Sequence, residues 1–263
     1  MGATGRRGGR GGRARASSGA PAGRGPGAGI RTAKGRKGSS IRWLERQLRD
    51  PYVAEARRLG LRSRAAFKLI ELDERFHLLA PGKRVVDLGA APGGWTQVAI
   101  ERVNATGKGA AKRRGRVVAV EIAEFAALEG ATVVRADMLS RDGPARAKEA
   151  LTGPADVVLS DMAEPATGHP GTDHLRTMAL AEAAFAFARE VLAPGGAFVA
   201  KVLRGGTEKA LLDALKREFG SVRHAKPPAS RPESAEIYVV ATGFKGGAGG
   251  KSPGKTPGPR ANP

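Results

Sequence analysis

The chain has 263 residues, with 45 Lys and Arg against 25 Asp and Glu for a formal charge of +20, and no cysteine. That length allows one substantial core, while the lack of thiols excludes disulfides, thiol catalysis and cysteine-ligated metal. The 4 histidines are scattered without zinc spacing, and no stretch reaches the roughly 18 apolar residues of a membrane span, so a metal-free cytoplasmic protein without membrane contact is expected.

Residues 1–40 carry ten Arg and Lys and no acid, and residues 243–263 carry four and none, so most of the surplus charge sits at the two ends. Both ends are rich in Gly, Pro, Ala and Ser, have little to bury, and are expected to be disordered basic tails around a folded domain over 41–242. The Arg-Gly run at 6–13 is similar to RNA-binding segments that hold phosphates without reading sequence; an unselected solvated tail fits it equally well.

Within the domain, 43–59 reads as a basic, partly helical lead-in interrupted by Pro51. Ser63 is placed to cap a helix whose Ala66, Phe67, Leu69, Ile70 and Leu72 form an apolar stripe. Lys68 lies on it and, from local sequence alone, reads as an ordinary solvated lysine. A strand at 85–87, a glycine-rich loop and a helix over 96–103 follow. The loop 104–115, with Lys108, Lys112, Arg113 and Arg114, is either a tolerated surface insertion or an extra RNA contact. Strands are expected at 116–121, 132–137 and 156–161, then a long helix over 172–192 stopped by Pro194, Gly195 and Gly196. A strand at 197–203, a helix over 208–219 and two closing strands, 221–225 and 236–241, complete the domain. This alternation predicts an α/β fold: a mostly parallel seven-stranded sheet with helices on both faces.

The strand ends carry the chemistry. Asp87, Glu121, Asp137 and Asp161 close four successive strands, and ligands of open α/β sheets collect at carboxyl ends. Glu121 suits ribose hydroxyls, and Asp137 would then face an adenine. Lys201 sits among Val199, Ala200, Val202 and Leu203, where an amine is costly without partners. In the loop after Asp87, Gly89 is followed by Ala90 and Ala91, so the G-x-G-x-x-G spacing that admits a pyrophosphate is missing.

The run from Asp87 through Gly89, Pro92, Gly93 and Gly94 to Trp95 instead resembles the first motif of S-adenosylmethionine-dependent methyltransferases. Adding residues 63–68, 159–163, 192–201, Lys226-Pro227, Ser230-Arg231 and 236–238, the chain resembles the FtsJ-type ribosomal RNA 2′-O-methyltransferases, the large-subunit methyltransferase E family, from about residue 63 to 245. The resemblance implies a Rossmann-like class I methyltransferase fold and a catalytic tetrad of Lys68, Asp161, Lys201 and Glu236. It also implies S-adenosylmethionine contacts at Gly93, Trp95, Glu121, Asp137 and Asp161, with no metal. Glu121 stands where aspartate is more usual, and residues 164–168 depart from the common pattern on the substrate side.

The implied reaction is 2′-O-methylation of a uridine ribose in the A-loop of 23S ribosomal RNA, in the assembled large subunit, by a monomer without protein partners. Lys201 is the candidate to receive the hydroxyl proton or steer the oxygen lone pair, while Lys68 and Glu236 hold the ribose and Asp161 aligns Lys201. Arg42, Arg46, Arg57, Arg58, Arg62 and Arg64 are candidates for phosphate contacts. Competing readings are a methyltransferase for transfer RNA or a messenger cap, a small-molecule O-methyltransferase, and a catalytically idle RNA-binding assembly factor.

Overall fold

The computed structural model describes residues 50–205 and 209–246; the tail expected over 1–40, the start of the lead-in with Arg42 and Arg46, and all but the first four residues of the tail expected over 243–263 lie outside them. Helix α1, Pro51–Arg58, opens on Asp50, whose side chain accepts a bond from the Tyr52 amide at 3.1 Å. Pro51 stands at the first position of this helix, where the first turn has no use for its missing N–H. Helix α2, Ala65–Phe76, starts without a side-chain cap. The hydroxyl of Ser63, expected to cap it, is buried without a partner and lies against Gly94, where an added Cβ would come within 2.2 Å of it.

Then follow β1 (Arg84–Leu88), α3 (Gly94–Arg102), β2 (Arg116–Glu121), β3 (Ala131–Arg135), α4 (Gly143–Glu149) and β4 (Ala155–Ser160). After them come α5 (Pro170–Val191), β5 (Leu192–Leu203), α6 (Lys209–Glu218), β6 (Phe219–Ala225) and β7 (Glu236–Phe244). The short α4 is not among the expected elements, since seven residues with a single proline at their start show no amphipathic stripe. α5 ends at Val191, and Pro194, Gly195 and Gly196, expected to stop it, fall within β5, which already begins at Leu192: the register jumps from Ala155–Leu192 to Val157–Ala197, and the intervening residues bulge out. β7 runs two residues beyond the expected domain end, to Phe244.

The sheet order is β3-β2-β1-β4-β5-β7-β6. Strands β1 to β5 pair in parallel, and β7 enters antiparallel between β5 and β6. Alternate residues of the central strands face two cores. Val86, Val118 and Val158 pack with Phe185, Phe198 and Leu215, whereas Val85, Val117 and Val157 pack with Leu69, Leu72 and Trp95. Burial on both faces explains why these strands read as unbroken apolar runs. Among the described residues no helix is long and apolar enough to cross a membrane.

The turn after β1 is closed by Gly89, at φ 77°, where a Cβ would lie 2.7 Å from the Met162 Cα. Two penalties combine there, left-handed backbone and collision with a neighbouring main chain. Gly89→Ala is expected to lower stability by about 2–4 kcal/mol, read as a fall in the midpoint of thermal or urea unfolding.

Candidate active site

Antiparallel β7 begins at the edge where the parallel strands end, so its first residue, Glu236, arrives beside the end of β5. Lys201 of β5 is in register with Tyr238, two residues along β7 and therefore on the same face as Glu236. Asp161 directly follows β4 and is tied to β1 by its amide, which donates to the Leu88 carbonyl at 3.1 Å. Lys68 reaches in from α2.

These elements bring the four expected residues together. The Lys201 ammonium donates to the Asp161 carbonyl at 2.8 Å and to Asp161 Oδ1 at 3.0 Å. Lys68 Nζ donates to Glu236 Oε1, and to the Tyr238 hydroxyl at 3.2 Å. The two lysine side chains are only 13% and 10% exposed, so each is matched by a carboxylate in a poorly solvated place.

Tyr238, not singled out in the sequence, joins the two pairs. Its hydroxyl lies 2.7 Å from Asp161 Oδ1 and 3.1 Å from Glu236 Oε1, and its single proton serves one carboxylate at a time. Burial, then the negative charges of Asp161 and Glu236, push the phenol well above its ordinary pKa, so it stays protonated. Burial opposes ionisation of Asp161, but the Lys201 and Lys68 charges and the hydrogen bonds from Tyr238 and Lys201 outweigh it, holding this carboxyl below the usual range. The available signal for Tyr238 was period two: a polar ring two places after Glu236 shares its side of the strand.

Asp161 also belongs to a cleft of about 210 Å³ along the carboxyl ends of β1, β2 and β4. Glu121, Asp137, Asp161 and Glu164 line it, with Ile122 and Leu139 as apolar walls and no lysine or arginine. Glu121 is oriented by the amides of Ala91 at 2.9 Å and Ile122 at 2.8 Å, and Asp137 by that of Leu139 at 2.9 Å. Behind the cleft, fully buried Asp87 accepts a bond from Thr96 at 2.6 Å through Oδ2, while Oδ1 has no partner. Burial chiefly, opposed by the Thr96 bond and reinforced by the charges of Asp161 and Glu121, pushes its pKa up to about 7. In a chain of charge +20, a cleft walled by carboxylates repels phosphate and suits an organic cation with hydroxyl groups.

Several of the other expected residues have structural partners. The Trp95 side chain is 2% exposed, donates to the Ala65 carbonyl at 2.8 Å and packs on the Tyr238 ring at 5.5 Å, so it braces the tyrosine. Gly93, at φ 105° before α3, faces Arg62 and Leu128. Arg62 and Arg64 are engaged internally: Arg62 bonds the carbonyls of Pro92, Ala126 and Ala127, and Arg64 pairs with Asp50 at 2.8 Å. Arg57 and Arg58 are both exposed, and Arg58 pairs with Glu55. Among the described residues, no three His, Asp or Glu side chains are grouped to hold a metal.

A family model of FtsJ-like methyltransferases matches residues 61–244. The chain is 66% identical over 217 residues to the ribosomal RNA large subunit methyltransferase E of Paramagnetospirillum magneticum, covering 82% of this chain and 88% of that protein. To the protein of the same name from Rhodospirillum rubrum it is 61% identical over 226 residues, 86% of this chain and 84% of the relative. A Plasmodium falciparum crystal structure provisionally assigned as a ribosomal RNA methyltransferase superposes with a TM-score of 0.62 at 29% identity, covering 70% of this chain and 99% of that one.

Asp87 also sets a pH dependence. Its folded pKa of about 7 exceeds the roughly 3.9 of an unfolded aspartate, so its contribution favours folding below pH 4 and is lost as pH rises through 7. Asp87→Asn is expected to flatten the unfolding midpoint between pH 4 and 7 and to raise stability at pH 8 by about 2–4 kcal/mol, measured by urea titration across that range.

Proposed function

Since the chain belongs to the FtsJ-like methyltransferase family, we propose that it transfers the methyl group of S-adenosylmethionine to a ribose 2′-hydroxyl of large-subunit ribosomal RNA. The finer reading is a uridine of the A-loop, modified in the assembled large subunit by a monomeric enzyme. One observation carries it: Asp161 is shared between an acidic cleft and a buried pair of lysine–carboxylate bridges. The names of the relatives support ribosomal RNA as the substrate.

The cleft fits the cofactor by charge and by shape of wall. S-adenosylmethionine carries a sulfonium and an ammonium against one carboxylate, and the four carboxylates with no facing base suit that balance. Glu121 would hold the ribose hydroxyls, Asp137 the adenine, and Asp161 the methionine end, with Ile122 and Leu139 as apolar contacts. When bound, the cofactor supplies a methyl carbon already activated by positive sulfur. The protein's task is then positioning, which in general is worth about 7–11 kcal/mol.

Two of the three directions around Lys201 Nζ point to Asp161, leaving one for the substrate oxygen. Through it the Lys201 ammonium donates to the hydroxyl and aims the oxygen lone pair at the methyl carbon, whereas receiving the hydroxyl proton requires Lys201 as the neutral amine, which becomes the ammonium. Asp161, held ionised, keeps Lys201 in place and lends negative charge to the cofactor side. Lys68 and Glu236 hold the ribose, and the Tyr238 hydroxyl sits between the two carboxylates, its proton serving one at a time.

Labelled methyl transfer to large subunits and to naked ribosomal RNA, with mapping of the modified nucleotide, tests this reading. Lys201→Ala is expected to lose at least about 100-fold in kcat with cofactor affinity intact. Retained turnover would remove Lys201 from the chemistry, and modification of transfer RNA or capped RNA instead would overturn the substrate. Tyr238→Phe keeps the ring packing and is expected to lower kcat by about 10–100-fold, since the charge-assisted hydrogen bond shared between the two carboxylates is removed. Protonation of Asp87 cancels charge beside the cleft, so the cofactor Kd should rise as pH falls below about 7 and this slope should vanish in Asp87→Asn.

A further inference from the structure

A second cavity, about 470 Å³, lies at the opposite edge of the sheet, where β1, β2 and β3 begin. Arg84, Arg114 and Arg116 line it together with Thr132 and Thr152. Strands of five or six residues separate the two edges by roughly 17–20 Å, so these arginines do not serve the methyl-transfer site directly.

The basic loop 104–115 rims this cavity and is built to hold a fixed shape. Asn104 adopts φ 57°, donates to the carbonyls of Ala111 at 2.8 Å and Arg113 at 3.3 Å, and accepts from the Gly109 amide at 2.8 Å. Arg114 Nε bonds the Ala105 carbonyl at 2.7 Å, which leaves the outer nitrogens of its guanidinium pointing away from that anchor. Gly115 fits where a Cβ would come within 2.5 Å of the Lys83 carbonyl, pinning the loop to the start of β1. A tolerated insertion would need none of these fixtures.

Charge there is unbalanced. Asp156 is paired with Arg84 and Glu129 with Lys108. Lys112, Arg113 and Arg116 are exposed and have neither ion pair nor side-chain hydrogen bond among the described residues. Fixed guanidinium groups around a concave site with threonine hydroxyls match the tetrahedral oxygens of phosphodiesters. Unlike the acidic cleft, this edge attracts polyanions.

We propose that this edge, the cavity of Arg84, Arg114 and Arg116 with its rim of Lys112 and Arg113, is a second contact for the phosphate backbone of the RNA substrate. It rests on the reading that the substrate is RNA. The contact carries no base recognition and engages a part of the folded RNA remote from the reacting ribose, raising affinity and fixing the approach of the particle.

The test uses the full chain with Lys112→Gln, Arg113→Gln and Arg116→Gln combined, none of which has an internal partner. A control combines Arg146→Gln, Lys216→Gln and Arg217→Gln on α4 and α6, also exposed and unpaired. For ribosomal RNA binding, the slope of log K against log salt should become shallower by about 2–3 in the first variant and by less than about 1 in the control. The KM for RNA should rise about 10-fold or more with kcat within about 2-fold, and cofactor affinity unchanged. An unchanged slope, or a loss equal to the control's, overturns the second contact. If wild type neither binds nor methylates ribosomal RNA, the functional reading falls instead, so the two failures are distinguishable.

Discussion

Two ammonium groups with about a tenth of their surface in water must be matched by two carboxylates, and much of the architecture follows from that requirement. Lys68 and Lys201 come from a helix and a strand on different parts of the chain, and Asp161 and Glu236 from two further strands. The hydroxyl of Tyr238 bonds into both pairs, so neither can rotate freely. The ring under that hydroxyl is fixed in turn by Trp95, whose own N–H is held by α2. The methyltransferase motif and the lysine cluster are thus one packed unit.

Charge is distributed to match. The carboxyl edge of the sheet gathers Glu121 at the end of β2 and Asp137 and Asp161 just past β3 and β4, and burial chiefly, with the charges of Asp161 and Glu121 added, raises the pKa of Asp87 behind them. The amino edge has the opposite character, with arginines at strand starts and a braced basic loop. The charges at the two edges therefore favour anions at one and cations at the other.

Some arginines that look like RNA contacts in a linear reading hold the fold instead. Arg62 ties the turn after β1 to residues 126 and 127, and Arg64 with Arg231 neutralises Asp50. Exposure separates these from Arg57, Lys112, Arg113 and Arg116, and exposure is set by neighbours distant in sequence.

The chain itself determined the alternation of strands and helices, since strands buried on both faces must be apolar runs and helices must show a stripe. It also located the acids at strand ends and marked Lys201 as anomalous, because an amine inside an apolar strand demands partners. Lys68 had no such mark, being one charge on an amphipathic helix, and entered only through family resemblance. The tertiary structure decided the rest. Insertion of β7 antiparallel between β5 and β6 brought Glu236 and Tyr238 to Lys201, and packing across the second core turned Trp95 inward. Strand order and direction are chosen by the fit of the whole sheet, and no local periodicity encodes them.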